Sequence, residues 1–417
     1  MTPEGWRDVG ILDVADVASG QVDPRETPYC DWPLVAPNHI EEGTGRLLPA
    51  SSAAAQGAIS GKYTFQPGDV LYSKIRPYLR KVALPRFSGL CSADMYPLRS
   101  NGEVEPGFLF AMLLSKEFTE FASSVSMRTG IPKINREELA KYRCNLPPLP
   151  EQRKIAAILS SVDDAIEASQ AVIDQLQVVK KAMMAELLTK GLPGRHKKFK
   201  QTEIGQVPEE WEVAALGDLL SSGPDNGLYK HLSAYGDGVR IVRIDAFSNG
   251  EIVAEDELRR VRIDDTETER FRLATDDILI NRVNSLSHLG KVGFVQTFSE
   301  PAVFESNMMR LTVNKAKVLP GFAFAELASE RAREHFLSRA KQAVAQASIN
   351  QQDVKCFPIL LPGLTEQQAI VESLATISRR MHREAESLNA LVNAKSALMS
   401  VLLTGEVRVR VDEEAAA

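Results

Sequence analysis

Residues 146–155 read LPPLPEQRKI and residues 361–370 read LPGLTEQQAI, so a proline-containing stretch leads into a Glu-Gln pair twice in one chain. The two stretches are 215 positions apart (361 − 146), and Ile134-Asn135 recurs at the same spacing as Ile349-Asn350. Repeat units of solenoid proteins are only about 20–50 residues long. A repeat of this length therefore predicts a duplicated domain in which each copy is followed by its own helix.

The ends of the two copies are also marked. Each copy begins near a tryptophan, Trp6 or Trp211, and closes on Leu-Leu-Thr, at 187–189 or 402–404. We expect the ligand of such a duplicated chain to offer two similar sites. With 417 residues, of which 44% are hydrophobic and 25% charged, the chain is globular and long enough for two or three cores.

Composition excludes several classes of protein. The 4 cysteines lie far apart without a Cys-x-x-Cys pair, and the 6 histidines lack metal-ligand spacing, so neither a zinc site nor a disulfide framework is indicated. No apolar run approaches the roughly 20 residues of a membrane span, and the N-terminus lacks a secretory signal pattern. We therefore expect a cytoplasmic protein without membrane contact.

Charge is sorted by region along the chain. The formal net charge of −6 argues against a surface that is basic throughout. Between Lys62 and Arg99, however, Asp69 and Asp94 are the only acidic residues among seven basic ones. A local basic patch that faces DNA is therefore compatible with the acidic total.

Two long helices are predicted, from Glu151 to Lys190 and from Glu366 to Thr404. Prolines precede both starts, and Thr365 with Gln368 has the spacing of a capping box. Glycines at 191 and 405 stand where a left-handed residue would end each helix. At about 1.5 Å per residue, each helix is about 60 Å long.

Both helices carry a heptad seam, with positions that recur in alternating steps of four and three. In the first helix these positions are Ile155, Leu159, Val162, Ile166, Ser169, Ile173, Leu176, Lys180, Met183 and Leu187, and the second helix repeats them 215 positions later. The paired seams predict two helices that pack against each other, antiparallel so that equivalent surfaces meet. Lys180 and Lys395 fall on the seam; we expect their stems to extend from its edge to solvent, with an acidic partner on the other helix as the alternative.

The segment before each helix has strand patterns and short helices, which predicts an α+β fold. Residues 68–74 match 276–282, residues 81–84 match 291–294, and residues 239–244 have their counterpart in 33–40. Amphipathic helices are expected at 108–124 and 322–340.

Along essentially its whole length the chain resembles the specificity subunit of Type I restriction-modification systems. The motifs that carry the resemblance are the proline-rich leads into Glu151-Gln152 and Glu366-Gln367, the Ile-Asn pairs, the Leu-Leu-Thr helix ends, and a strand followed by Ser73-Lys74 or Asn281-Arg282. Each motif alone is weak, but their order, repeated twice, is specific.

The resemblance implies two tandem, pseudo-symmetric target recognition domains separated by two long helices that form an antiparallel coiled coil. The bounds it implies are 1–146 for the first domain, 147–191 for the first helix, 192–361 for the second domain, 362–404 for the second helix and 405–417 for a tail. Each domain would read one half of a bipartite sequence in double-stranded DNA, while the helices hold two DNA methyltransferase subunits. Whether restriction (translocase) subunits join them is left open.

Motifs for catalysis are absent from the sequence. A flipped-base methyltransferase needs Asn/Asp-Pro-Pro-aromatic, whereas residues 145–149 read NLPPL. A nucleotide-driven motor needs Gly-x-x-x-x-Gly-Lys-Ser/Thr, and residues 57–63 read GAISGKY, which is one residue short. We therefore expect no enzyme activity and no cofactor on this chain, with S-adenosylmethionine, ATP and Mg on partner subunits.

Sequence readout needs Arg, Lys, Asn and Gln side chains against base edges and basic or hydroxyl groups against phosphates. The candidates in the first copy are Lys74, Arg76, Tyr78, Arg80, Lys81, Arg128, Lys133 and Asn135. Those in the second copy are Arg282, Asn284, His288, Lys291, Gln346, Ser348, Asn350 and Gln351. Any one of them is as readily a solvated loop residue, but two clusters at matching places favour a binding face.

Apolar residues off the seam predict an exposed patch for the methyltransferase subunits. They are Ile158, Val172, Val179, Met184, Leu188 and Met399. Two other functions compete with DNA recognition: a coiled-coil scaffold whose domains bind proteins, and a self-sufficient DNA-modifying enzyme, which the missing motifs oppose. Salt-dependent retention on DNA separates the reader from the scaffold.

Overall fold

The structure, a computed structural model, describes residues 2–126, 130–248, 250–342 and 346–410. It has two compact units, residues 1–171 with 385–417 and residues 172–384. Both long helices are divided near their middle, so each unit contains one mixed domain with part of each helix. The boundaries of the compact units therefore lie within the long helices and not at the starts of these helices.

The described residues of the first unit form three sheets and several short helices. Its strands are β1 (Arg7–Gly10), β2 (Ala15–Val17), β3 (Leu34–Val35), β4 (Tyr63–Phe65), β5 (Val70–Ser73), β6 (Val82–Ala83), β7 (Gly89–Cys91), β8 (Met95–Ser100) and β9 (Arg143–Leu146). Its helices are α1 (Ile11–Val14), α2 (Pro106–Leu114), α3 (Lys116–Val125) and α4 (Arg136–Leu139), followed by the long α5 (Leu149–Lys190). One sheet has the order β2-β8-β5-β6, a second has β3-β7-β4, and β1 pairs with β9.

The second unit repeats much of this arrangement with longer strands. Its strands are β10 (Phe199–Thr202), β11 (Gly205–Pro208), β12 (Glu212–Ala215), β13 (Leu220–Asn226), β14 (Tyr235–Val242), β15 (Phe247–Ser248), β16 (Glu251–Ile252), β17 (Arg259–Val261), β18 (Ile278–Asn281), β19 (Val283–Asn284), β20 (Val292–Phe294), β21 (Ala302–Phe304), β22 (Met308–Val313), β23 (Lys341–Gln342), β24 (Ala347–Ser348) and β25 (Pro358–Leu361). Its helices are α6 (Asp265–Phe271), α7 (Pro320–Leu327), α8 (Glu330–Arg339), α9 (Gln351–Lys355) and the long α10 (Leu364–Leu402).

The strand order shows which parts of the copies correspond. The series β13-β22-β18-β20 matches β2-β8-β5-β6, and β12 pairs with β25 as β1 pairs with β9. In each copy one parallel pair joins a strand early in the domain to a later one, Val35 beside Cys91 and Val242 beside Phe304. The predicted matches 68–74 with 276–282, 81–84 with 291–294 and 33–40 with 239–244 are therefore confirmed. The third strand of the small sheet differs, because β4 pairs with β7 whereas β17 pairs with β14.

Each expected amphipathic helix is in fact two helices. Between α2 and α3, the Ser115 side chain accepts a hydrogen bond from the backbone of Phe118, and Ser329 does the same for Ala332 between α7 and α8. A serine in extended conformation at such a place begins a new helix and ends the old one. The prediction of single helices over 108–124 and 322–340 was wrong for this reason.

The long helices lie where they were predicted, and each begins two residues before the expected start. Pro150 is tolerated in the first turn of α5, where backbone N–H groups have no partner within the helix. The capping box was wrong: α10 begins at Leu364, so Thr365 is already helical, and the Gln368 side chain donates to Glu372 at 2.8 Å.

The heptad seam is confirmed as the buried line of both helices. Its positions are buried or half-buried throughout, and most positions between them are exposed. In the first unit Ile155 near the start of α5 shares a core with Leu402 at the end of α10, and Asp163, further along α5, bonds to Lys395. Because the partner's number falls as the number in α5 rises, the two helices run antiparallel there. In the second unit Leu187 at the end of α5 shares a core with Ile370 near the start of α10, which is the same arrangement.

Lys395 is buried in the seam and does not extend to solvent. Its ammonium lies 2.5 Å from an Asp163 carboxylate oxygen and 5.8 Å from the centre of the Phe110 ring. The preferred prediction for this lysine was wrong, and the alternative of an acidic partner on the other helix is correct. Burial raises the pKa of Asp163 despite the opposing effect of Lys395.

Candidate DNA interface and helix junctions

The first Glu-Gln pair ties the beginning of α5 to both ends of the first unit. The buried Glu151 carboxylate accepts the indole N–H of Trp6 at 3.1 Å and two guanidinium N–H groups of Arg408 at 2.8 and 2.9 Å. Burial alone raises the pKa of Glu151, but the bonds from Arg408 and Trp6 outweigh it and hold the pKa below its ordinary value. These contacts within the first unit explain why position 151 is a glutamate, and contact with DNA is not needed to explain it.

The second copy repeats this junction with other cations. Glu366 accepts the indole N–H of Trp211 at 3.3 Å, lies 2.7 Å from His196 and pairs with Arg195 at 3.4 Å. The basic run 195–200 therefore supplies two of the partners of Glu366.

Glutamines 152 and 367 satisfy backbone groups in the same way. The Gln152 side chain accepts from the backbone of Glu105 and donates to the carbonyl of Pro147. Gln367 accepts from Leu319 and donates to Pro362. Each glutamine therefore connects a long helix to the turn that precedes α2 or α7.

Glycines 191 and 405 both have the left-handed backbone that the sequence predicted, with φ of +76° and +74°. A Cβ at 191 would lie 2.6 Å from a carboxylate oxygen of Glu366, and one at 405 would lie 2.6 Å from Pro3. Glycine is thus required at both positions for conformation and for close approach.

The predicted DNA-binding clusters occupy equivalent places in the two copies. The carbonyl of Lys74 accepts the backbone N–H of Ile134, and the carbonyl of Arg282 accepts that of Ile349, both at 2.9 Å. The next residues pair as well, Ile75 with Lys133 and Val283 with Ser348. Each copy therefore brings the loop after its central strand beside the loop that holds its Ile-Asn pair.

Two cations lie against one tyrosine ring in the first copy, and a third lies near one of them. The Lys74 ammonium is 5.2 Å and the Arg136 guanidinium carbon 5.9 Å from the ring centre of Tyr96, and Lys133 is held beside Ile75. Burial lowers the pKa of Lys74, and repulsion from Lys133 and Arg136 lowers it further against the attraction of Asp94. Arg136 was missed in the sequence, although it directly follows the Ile-Asn pair.

Two predicted cations face inward. The Arg80 guanidinium donates to the carbonyl of Leu114 at the end of α2, and the Lys81 ammonium donates to the carbonyl of Pro37. Burial lowers the pKa of Arg80. Their charged groups are hydrogen-bonded within the domain, and a place for either residue on the DNA face stays a prediction.

The turn between β5 and β6 presents the remaining candidates of that loop. Arg76 is exposed and has a left-handed backbone with φ of 49°, and Tyr78 is 55% exposed. Arg128 lies outside the described residues, so its place in the interface stays a prediction.

Both asparagines of the repeated Ile-Asn pair are helix caps. Asn135 accepts from the backbone of Glu138, and Asn350 accepts from Gln352 and Asp353, while the preceding isoleucines are buried. Since the side-chain oxygens begin α4 and α9, the repetition of this pair has a structural cause, which is helix capping.

In the second copy the candidates lie on one loop and one strand pair, and Arg282 and Asn284 are half-buried. Arg282 donates to the carbonyl of Ser306, Asn284 pairs with Ala347, and the His288 ring contacts the hydroxyls of Ser285 and Ser287. Lys291, Gln346 and Gln351 are exposed, and Ser348 is half-buried.

The predicted partner-binding residues divide into two groups. Leu188 and Met399 are 2% and 6% exposed and belong to the cores of the chain itself, so the expectation that they lie on the surface was wrong. Ile158 and Met184 pack against the same cores and are half-buried. Val172 and Val179, one heptad apart on α5, are 40% and 37% exposed and remain accessible.

No group of three or more potential metal ligands is found among the residues that the structure describes. Within the same ranges, no helix is both long and apolar enough to cross a membrane.

The family model for the Type I restriction modification DNA specificity domain matches the chain twice, at residues 3–178 and 208–393. The chain is 31% identical over 333 residues to the MjaVIII specificity subunit of Methanocaldococcus jannaschii, an alignment that covers 77% of this chain and 75% of that relative. It is 37% identical over 194 residues to the EcoDI specificity subunit of Escherichia coli, covering 44% of this chain and 43% of the relative.

A chain from a solved type I R-M system has the same fold, with a TM-score of 0.59 and 20% identity, over 98% of this chain and all of the other. The two matches of the family model coincide with the two copies that the repeated Glu-Gln junctions and strand orders define. The chain therefore belongs to the Type I restriction-modification specificity subunits and carries two copies of their DNA specificity domain.

Proposed function

We propose that this protein reads a bipartite DNA sequence, one half with each recognition domain. The observation that carries the proposal is the equivalence of the loops at Lys74 and Arg282, which present different side chains on the same backbone frame. A shared frame with different exposed polar groups suits domains that read different bases at equivalent places.

The chain itself is proposed to be non-catalytic. Its partners are double-stranded DNA and two DNA methyltransferase subunits, with restriction subunits as a further component, and its place of action is the cytoplasm. S-adenosylmethionine, ATP and Mg belong to the partner subunits in this proposal. The exposed valines at 172 and 179 are the part of the predicted docking surface that the fold leaves accessible.

Methylation mapping tests the bipartite reading. In a cell that carries the chain with its methyltransferase subunits, we expect a methylated motif of two parts separated by a fixed gap. Substitution of Gln351 or Lys291 in the second copy should change one part and leave the other unchanged. Either of two results would contradict the proposal that each domain reads one half-site. One is a methylated motif without a gap, and the other is loss of sequence preference in both parts after a substitution in one copy.

A DNA-binding measurement on the full-length chain distinguishes the DNA reader from the rival proposal, a protein-binding scaffold. For a reader, retention on a mixed-sequence duplex should fall steeply with added salt, because lysines and arginines release counterions from phosphates. Absence of salt-dependent retention would favour the scaffold.

A further inference from the structure

Lys74, Lys133 and Arg136, here called the Tyr96 cluster, bring like charges together at one place in the first unit. Lys74 and Arg136 lie within 5.9 Å of the same ring centre, and Lys133 is beside the residue that follows Lys74. Arg136 is fixed further by donation to the carbonyl of Ala18 at 2.9 Å. The cations are therefore held near one another by the fold.

Two carboxylates neutralise the cluster only in part. Asp94, whose carbonyl accepts the backbone N–H of Lys74, is the carboxylate that attracts Lys74. Glu138, the third residue of α4, is a second carboxylate at this place and accepts the backbone N–H of Asn135. Three cations against the carboxylates of Asp94 and Glu138 leave a net charge of about +1 (3 − 2), and the repulsion among the cations costs free energy in the absence of a further anion.

The second copy has neutral residues at the equivalent places. Strand pairing puts Ser348 where the first copy has Lys133 and Met309 where it has Tyr96. Gln351 follows its capping asparagine as Arg136 follows Asn135, and Asn307 replaces Asp94 as the residue whose carbonyl accepts from the basic position. Arg282 remains as the cation at this place, and Asp353 accepts the backbone N–H of Asn350 as Glu138 accepts that of Asn135, so the net charge is about 0 (1 − 1).

We propose that Lys74, Lys133 and Arg136 form a phosphate-binding site for the DNA backbone, and that the first copy thereby contributes more of the salt-dependent affinity than the second. This inference rests on the proposed DNA recognition. A phosphodiester between these groups would replace their mutual repulsion with charge-assisted hydrogen bonds, which are shorter and stronger than neutral ones. The ring of Tyr96 provides an aromatic face that favours the two cations beside it.

The experiment compares the full-length chain with its Lys133→Gln, Arg136→Gln double variant on a mixed-sequence duplex over a range of KCl. Each lost phosphate contact should lower the slope of log affinity against log salt by about 1. We expect the slope to fall by about one to two. The affinity should also fall for all DNA sequences. The matched control is Arg7→Gln with Arg143→Gln, which removes the same charge from exposed ion pairs with Glu103 and Asp8.

A slope that is unchanged in the cluster variant, or reduced equally in the control, would overturn the phosphate site. If wild type itself shows no salt-dependent binding, the proposed function fails first. A second readout is independent of DNA: Lys133→Gln should raise the thermal midpoint of the free chain at low ionic strength, and the gain should vanish at high salt. A lower midpoint at low salt would refute the repulsion on which the site depends.

Discussion

The indole N–H of Trp6 donates to the carboxylate of Glu151 across 145 positions of sequence, and Trp211 donates to Glu366 in the same way across 155. The tryptophan that opens each copy thus meets the glutamate that begins the helix closing it. Different cations complete the two junctions, Arg408 in the first and Arg195 with His196 in the second. The hydrogen bond from tryptophan to glutamate is the part that both copies retain.

Glu151→Gln is expected to lower the free energy of unfolding by about 1–2 kcal/mol. The amide still accepts from Trp6 but loses its charge toward Arg408, whose own exposure limits the effect. Glu151→Leu should cost more, because the indole N–H is then buried without an acceptor. Urea unfolding of both variants tests this, and equal stabilities of Gln and Leu would show that the indole bond contributes nothing.

The ion pair of Lys395 with Asp163 should contribute about 2 kcal/mol of coupling in a double-mutant cycle with Lys395→Met and Asp163→Asn. Removal of one partner leaves the other charge partly buried. Urea unfolding of the wild type, the two single variants and the double variant gives the coupling. A coupling near zero would mean that packing of the lysine stem, and not its pairing with Asp163, stabilises the seam.

Asn135→Ala should destabilise the chain by about 1 kcal/mol, whereas Asn135→Ser should be close to wild type, because serine caps a helix nearly as well as asparagine. The serine variant also removes the amide that could read a base. Thermal unfolding combined with methylation mapping separates the roles. If the Asn135→Ser variant is stable but the methylated motif changes, the result would indicate that this asparagine contacts DNA.

Glu326 is a fully buried carboxylate in the second unit. It pairs with Arg331, and its counterpart in the first copy is the apolar Met112, six residues after the proline that begins α2. Burial raises the pKa of Glu326 to about 7, with Arg331 acting in the opposite direction.

A raised pKa in the folded state means that this group contributes stability below its ordinary pKa of 4.5 and that the contribution is lost as pH rises through about 7. Glu326→Gln should therefore gain stability relative to wild type between pH 5 and pH 8, by up to about 3 kcal/mol, since one unit of pKa corresponds to about 1.4 kcal/mol. Unfolding curves at both values of pH measure the difference. A difference between variant and wild type that does not change with pH would refute the raised pKa.

Val172→Glu with Val179→Glu should release the methyltransferase subunits and leave the chain folded, because both side chains are exposed on one face of α5. Val213→Glu is the control, as another exposed valine of the same unit on β12. Co-purification with a tagged methyltransferase is the measurement. If the helix variants retain the partner as the control does, the docking surface lies elsewhere.

The amino-acid sequence alone determined the duplication, the two long helices, the buried seam and the strands before and after each basic loop. These features follow from local periodicity and from direct comparison of the copies, because the spacing of apolar residues decides which face of a helix or strand is buried. Met184 and Met399 show the limit of such reasoning: a seam predicts contact with another helix, but packing of the same helix on its own domain also buries residues beside the seam.

Only the tertiary structure decided which polar side chains remain available. Arg80 and Lys81 have the same local setting as Lys74, but carbonyls 34 and 44 positions away accept their hydrogen bonds. Glu366 meets Trp211 and His196 for the same reason, since the fold alone brings the end of α5 to the beginning of α10. A buried polar group must find a partner wherever the chain supplies one, and no local pattern records where that partner lies.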